Sequence, residues 1–211
     1  KDVKFYDVTD ELICLGVLGP KSRDMISKIS KENLSNKNFK FGTSKNLQLG
    51  SINVWAQRLS YVGELGYELY IQKENAKEIY DLIVNSGKDF GLTHCGAHTM
   101  DTMRMESGFL HWGHDISPEE NQYQAGLNFA ISYKKPFDFI GKEELQKIID
   151  QKLDRRFIML ALEDSKPGKP LLLHEEPIYL EDKIIGKTTS GNYSFNYDKN
   201  LSFGYINSEL S

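Results

Sequence analysis

The sequence predicts an α+β fold followed by a smaller β-rich region, and three observations predict it. Short β-type runs and helical apolar stripes alternate up to about residue 150. Beyond it, β-type runs follow one another between Pro, Gly, Asp and Asn clusters with no helical stripe among them. The 211 residues are 39% hydrophobic, with 11 Tyr, 11 Phe and 2 Trp, enough to bury a sizeable core.

The elements follow in order. Leu12 to Val17 reads as a strand broken by Gly19-Pro20, and Lys21 to Ile29 carries Met25, Ile26 and Ile29 at helical spacing. Thr43 to Leu49 and Asn53 to Ser60 are β-runs flanking Gly50-Ser51. Gly66 to Ile71 alternates, with Tyr67, Leu69 and Ile71 on one face and Glu68 and Tyr70 on the other. A helix over about Glu74 to Ser86 shows a stripe of Ala76, Ile79, Tyr80 and Ile83. A second, Ala97 to Glu106, ends where Gly108 suits a C-cap. Lys135 to Gly141 is a loop and Lys142 to Gln151 a short helix. Phe157 to Leu162, Ile178 to Leu180, Lys183 to Thr189 and Leu201 to Ile206 are the β-runs of a small antiparallel sheet or barrel. Two domains are expected, residues 1–150 and 151–211.

Several function classes are disfavoured. A net charge of −4 has no basic excess for nucleic acid. The six residues from Phe157 to Leu162 form the longest apolar run, far below the roughly 20 of a spanning helix. No signal-peptide pattern opens the chain, which starts at Lys1 without Met and reads as a fragment. Cys14 and Cys95 sit in apolar or Gly-rich stretches and read as buried thiols of a reducing compartment, not as a disulfide.

Motif chemistry narrows the field further. There is no G-x-S-x-G elbow, P-loop or dinucleotide fingerprint. His94, Cys95 and His98, and His111, His114 and Asp115, place metal-type ligands near one another, but no complete set at zinc spacing can be assembled from them. They read as hydrogen-bonded surface or cap residues, with no metal. Pairing of Cys95 with His98 or His111 for catalysis has only co-occurrence behind it.

Arg58 to Ile71, RLSYVGELGYELYI, is the informative stretch. Gly63 and Gly66 frame a turn between β-runs and deliver Tyr61 and Glu68 to neighbouring strand ends. Two readings stay open: a solvent-facing Glu in a half-exposed hairpin, or a carboxylate that binds the adjacent N–H groups of a flat ligand through two parallel hydrogen bonds.

This stretch resembles the Y-x-G-E-x-G-[YFW]-E signature of the folate-binding family that contains the glycine cleavage T-protein (aminomethyltransferase) and the C-terminal halves of dimethylglycine and sarcosine dehydrogenases. Further similarities run in the same order: Leu15 to Pro20, Met103 to Phe109 with His111-Trp112-Gly113, Pro136 to Lys142, and Gly186 to Gly191. The Trp112-Gly113 and Asp138 to Lys142 variants look most like the dimethylglycine dehydrogenase branch.

The resemblance implies an aminomethyltransferase-like fold with a partial antiparallel β-barrel behind it, and a tetrahydrofolate-binding module that captures a methylene group from an amine donor. It places Glu68 against the pterin's aminopyrimidine edge, Tyr61 beside it, and Phe109 and Trp112 at pocket-wall positions, for which plain core packing is the competing reading. It implies no catalytic residue in this chain, because the family's catalytic Asp falls upstream of Lys1; Asp7, Asp10 and Asp101 are not at that position. FAD enters only with an upstream dehydrogenase domain. Implied partners are a small-molecule amine and folate, with a lipoyl carrier protein or an N-terminal flavin domain in addition, and neither nucleic acid nor membrane. The implied compartment is the cytoplasm, or the mitochondrial matrix in a eukaryote. Met100 departs from the family, since aminomethyltransferases carry Arg there. The same scaffold also serves non-catalytic regulatory proteins, including a phosphatase regulatory subunit, and folate-dependent methyltransferases or demethylases, so those readings stand as alternatives.

Overall fold

A computed structural model describes residues 2–149 and 151–210, divided into two compact units that meet between Met100 and Asp101. In the first, Leu12–Leu18 (β1), Ser44–Leu49 (β2), Ile52–Gln57 (β3) and Gly66–Gln72 (β4) form an antiparallel sheet in the order β1-β4-β3-β2. The helices Ser22–Ile29 (α1) and Ala76–Gly87 (α2) follow β1 and β4. Period two sorts the β4 side chains. Tyr67, Leu69 and Ile71 are fully buried beside Leu47, Leu49, Val54, Ala56, Met25, Ile26 and Ile79. Glu68 and Tyr70 project to the opposite side and are half-buried. Ser86 Oγ donates to the Met25 carbonyl at 3.2 Å, tying α2 to α1.

In the second unit, Arg155–Ala161 (β5), Pro177–Leu180 (β6), Lys183–Ser194 (β7) and Lys199–Asn207 (β8) form an antiparallel sheet in the order β5-β8-β7-β6. The sheet is open, with β5 and β6 at its edges. Ala97–Glu106 (α3) runs through the point of division, and Lys142–Ile149 (α4) precedes β5. Met105, Leu201 and Phe203 make the small core, with Phe157 packed on it. The expected α+β class and second antiparallel sheet are present, and β7 reaches five residues past its expected end at Thr189.

Two expectations fail. Both cysteines are exposed: Cys14 pairs with Tyr70 across β1 and β4 on the sheet side away from the core, and Cys95 lies in the irregular segment before α3. Apolar neighbours in sequence do not say which side of a strand a residue faces. Tyr80 leaves the buried stripe of α2, since the face is centred on Ile79 and Ile83; it is exposed and its phenol meets His94 Nε2 at 2.8 Å. No helix among the described residues is long and apolar enough to cross a membrane.

Candidate functional site

Glu68 stands in the middle strand pair of the first sheet, opposite Gly16 on β1 and Gln57 on β3. Gly16 contributes no side chain beside it. A Cβ built there would meet only the Leu18 side chain, at 3.8 Å, so the sheet is open next to the carboxylate. Two residues along β4, the Tyr70 phenol donates to Glu68 Oε2 at 2.9 Å. That bond, more than burial, pushes the phenol up to about 12, so it stays a protonated donor at neutral pH. The Trp55 ring, directly across β3, lies 4.9 Å from the Tyr70 ring at a 40° tilt. The Cys14 thiol shares this face; though the residue is exposed, partial desolvation by its neighbours and then the Glu68 charge hold its pKa up.

Tyr61 lies in the bend between β3 and β4, half-buried, at the other end of the connection from Glu68. The bend is anchored at the start of α1, where Gly19 N–H, just before the helix, and Ser22 Oγ, its first residue, both donate to the Leu65 carbonyl, at 2.7 and 3.1 Å. Tyr61 and Glu68 thus belong to the first unit. Phe109 and Trp112 belong to the second, on the loop after α3, exposed and outside the buried cluster there.

That loop is held by a network that the sequence did not reveal, although Asp101 and Asp115 were each considered there for other roles. Arg104 is buried: Nε donates to Asp101 Oδ1 at 2.6 Å, Nη1 to the Phe109 carbonyl at 3.1 Å and to Asp115, and Nη2 to Ser190 Oγ at 2.7 Å. Asp115 Oδ2 also accepts the His111 N–H at 2.9 Å, while Oδ1 accepts Thr189 Oγ1 at 2.6 Å and Ser190 Oγ at 2.7 Å. Adjacent strand residues normally face opposite sides. Here a β-bulge between Thr188 and Ser190 lets both hydroxyls reach one carboxylate. Glu106 accepts from Ser194 Oγ at 2.6 Å and from the Asn196 side chain, joining the end of α3 to the β7–β8 turn. The motif matches at Met103 to Phe109 and Gly186 to Gly191 were the available signal, since Arg104, Glu106, Thr189 and Ser190 lie inside them, while Asp115 lies outside both.

The histidines are arranged in two ways. His94 is taken by Tyr80, while the His114 ring meets His111 at a tilt and His174 edge-on, with ring centroids 4.4 and 5.7 Å apart. Among the described residues no group of three or more His, Cys, Asp or Glu is placed to hold a metal ion. Asp7 accepts from Thr9 N–H and Oγ1, which lowers its pKa, and Asp101 is engaged by Arg104.

With this geometry in place, comparison with known proteins is decisive. The model of the GCVT N-terminal domain matches residues 1–135, and that of the glycine cleavage T-protein C-terminal barrel domain matches 155–211. The chain belongs to the glycine cleavage T-protein family. It is 40% identical to human mitochondrial dimethylglycine dehydrogenase, covering 100% of this chain and 24% of that protein. It is 39% identical to 4-methylaminobutanoate oxidase (formaldehyde-forming) of Paenarthrobacter nicotinovorans, over 92% of this chain and 23% of the oxidase. An aminomethyltransferase of Bacillus licheniformis is 31% identical, over 99% of this chain and 56% of its own length. The chain therefore spans about a quarter of the two oxidoreductases and about half of the transferase. The crystal structure of the glycine cleavage system aminomethyltransferase T from Bartonella henselae superposes with a TM-score of 0.77, covering 94% of this chain and 52% of that one at 20% identity. The fold of this family member is thus an aminomethyltransferase fold.

Proposed function

We propose that this chain is a tetrahydrofolate-binding module for one-carbon transfer from an amine donor, with residues 1–150 as its folate-binding domain and 151–211 as a small β domain. One observation carries the reading: a carboxylate on an open sheet face, held by a phenol, with a side-chain-free position beside it. The residues fit the group. A pterin presents an exocyclic amine next to a ring N–H, and a carboxylate accepts such a pair through two parallel charge-assisted bonds. Glu68 would take that edge and Tyr61 would lie beside the ring.

When bound, tetrahydrofolate supplies the nucleophilic nitrogen that receives the carbon. The protein's own contribution is orientation and charge: Glu68 fixes the rotation of the pterin in its plane and places negative charge beside its N–H groups. The relatives' names bring dimethylglycine, 4-methylaminobutanoate and an aminomethyl group into view as donors, all of them carbons carried on nitrogen. A donor of that class is part of the proposal.

Calorimetric titration of tetrahydrofolate into the full-length protein and its Glu68→Gln variant tests it. Losing the charge-assisted pair should weaken binding by about 2 to 4 kcal/mol, combining the two bonds. Equal affinities would remove Glu68 from the site, and absence of binding to the wild type would end the folate reading.

A further inference from the structure

We propose that Tyr70 is a positioning residue for Glu68, fixing the carboxylate in the orientation in which it meets the ligand's N–H edge; the inference rests on the folate reading above. A Glu side chain has three rotatable bonds, and on a half-exposed strand position nothing in the backbone chooses among its rotamers. Tyr70 does choose. Residues two apart on one face of a strand lie about 7 Å apart along it, a span that a phenol reaching back along β4 can close, and its Oη meets Glu68 Oε2 at 2.9 Å. The reaching ring is itself located. Trp55 stands directly opposite on β3 with its ring 4.9 Å away, and Cys14 stands directly opposite on β1.

The bond does not consume the site. A carboxylate offers about four acceptor positions, so Oε2 can hold the phenol and still accept a ligand N–H, while Oε1 takes the second. The approach from β1 is open because the residue facing Glu68 there is Gly16. A side chain ordered before the ligand arrives spares the complex that ordering cost, which raises affinity without adding a contact to the ligand. The phenol is a donor throughout the neutral range, and its bond to Glu68 extends that range further into alkali.

The experiment reads recognition of the exocyclic amine. Tetrahydrofolate and 2-desamino-2-methyltetrahydrofolate are titrated into the full-length wild type, Tyr70→Phe and Glu68→Gln. Wild type should prefer tetrahydrofolate. Tyr70→Phe keeps the ring against Trp55 and should bind tetrahydrofolate about 10-fold more weakly, the size of one lost bond to a charged group, while its affinity for the desamino analogue changes little. Its preference between the two ligands should fall towards that of Glu68→Gln. Because both affinities come from the same preparation, their ratio is independent of how much of the variant is folded. Tyr70→Phe retaining the wild-type ratio, or binding tetrahydrofolate more tightly, would overturn the proposal while leaving the folate reading intact. Glu68→Gln with both affinities unchanged would remove Glu68 from the site and overturn the role of Tyr70 with it, while absence of tetrahydrofolate binding to the wild type would overturn the folate reading itself.

Discussion

Arg104 and Asp115 form an ion pair whose side chains are 2% and 0% exposed, linking α3 to the loop that carries Phe109 and Trp112. Neither charge is left with its partner alone: Asp101, Ser190, Thr189 and the backbone at Phe109 and His111 take up the remaining donors and acceptors. Buried charges are tolerated only when paired and hydrogen-bonded in this way.

Removing one member of that pair should therefore be costly. Asp115→Ala leaves the buried guanidinium with only the partly exposed Asp101 as its charge partner and is expected to lower stability by about 3 kcal/mol, the lower end of the range for breaking a buried pair. Ser190→Ala removes one donor from Asp115 and one acceptor from Arg104, and should lower it by about 1 to 3 kcal/mol. Urea denaturation of the two variants checks the ranking; an Asp115→Ala protein as stable as wild type would show that the network adds nothing.

Gly186 gives a second prediction. A Cβ there would lie 2.0 Å from the Tyr205 carbonyl oxygen and 2.9 Å from Ile206 Cα, both backbone atoms of β8 that cannot rotate away. Gly186→Ala must push β7 from β8 and should lower stability by about 1 to 3 kcal/mol, the usual range for overpacking. Gly96→Ala, where nothing lies within 4 Å, is the matched control and should leave the melting temperature close to that of wild type.

Tyr205 gives a third, in alkali. Its hydroxyl is buried with no hydrogen-bond partner among the described residues, and burial, reinforced by the Glu120 charge, holds the phenol well above its usual value. The sign follows directly. A group whose pKa is raised on folding contributes stability that is complete below its unfolded value, about 10 for Tyr, and is lost as pH rises towards the folded value. Tyr70, at about 12, adds to the same loss. Stability should fall steadily from about pH 10, and Tyr205→Phe should flatten that fall while leaving neutral-pH stability equal or slightly higher, since it removes an unsatisfied buried hydroxyl. Denaturant midpoints at pH 8, 10 and 11 measure it; an unchanged slope in Tyr205→Phe would contradict the assignment.

Much of the chain up to Gly108 was legible because its signals are local. The alternation in Gly66 to Ile71 identified the buried face of β4, and Met25 and Ile26 marked the buried side of α1. Gly108 caps the segment after α3 with φ +72°, a backbone state that glycine adopts without penalty. Tyr80 and the cysteines were misjudged because their exposure depends on which neighbour covers them, and residue type carries no record of that. The Glu68 and Tyr70 pair was half legible: period two placed them on one face, but not in a hydrogen bond.

By itself, the sequence determined the element order, the α+β class and the family, because periodicity, turn residues and ordered motifs are written along one dimension. Only the tertiary structure decided that Thr189 and Ser190 converge on Asp115, that Arg104 is buried at their centre, and that Gly16 leaves Glu68 uncovered. Those relations come from a bulge, a buried charge and a cross-strand register. Each is fixed by contacts between segments distant in the chain, whose energies depend on geometry that no local pattern encodes.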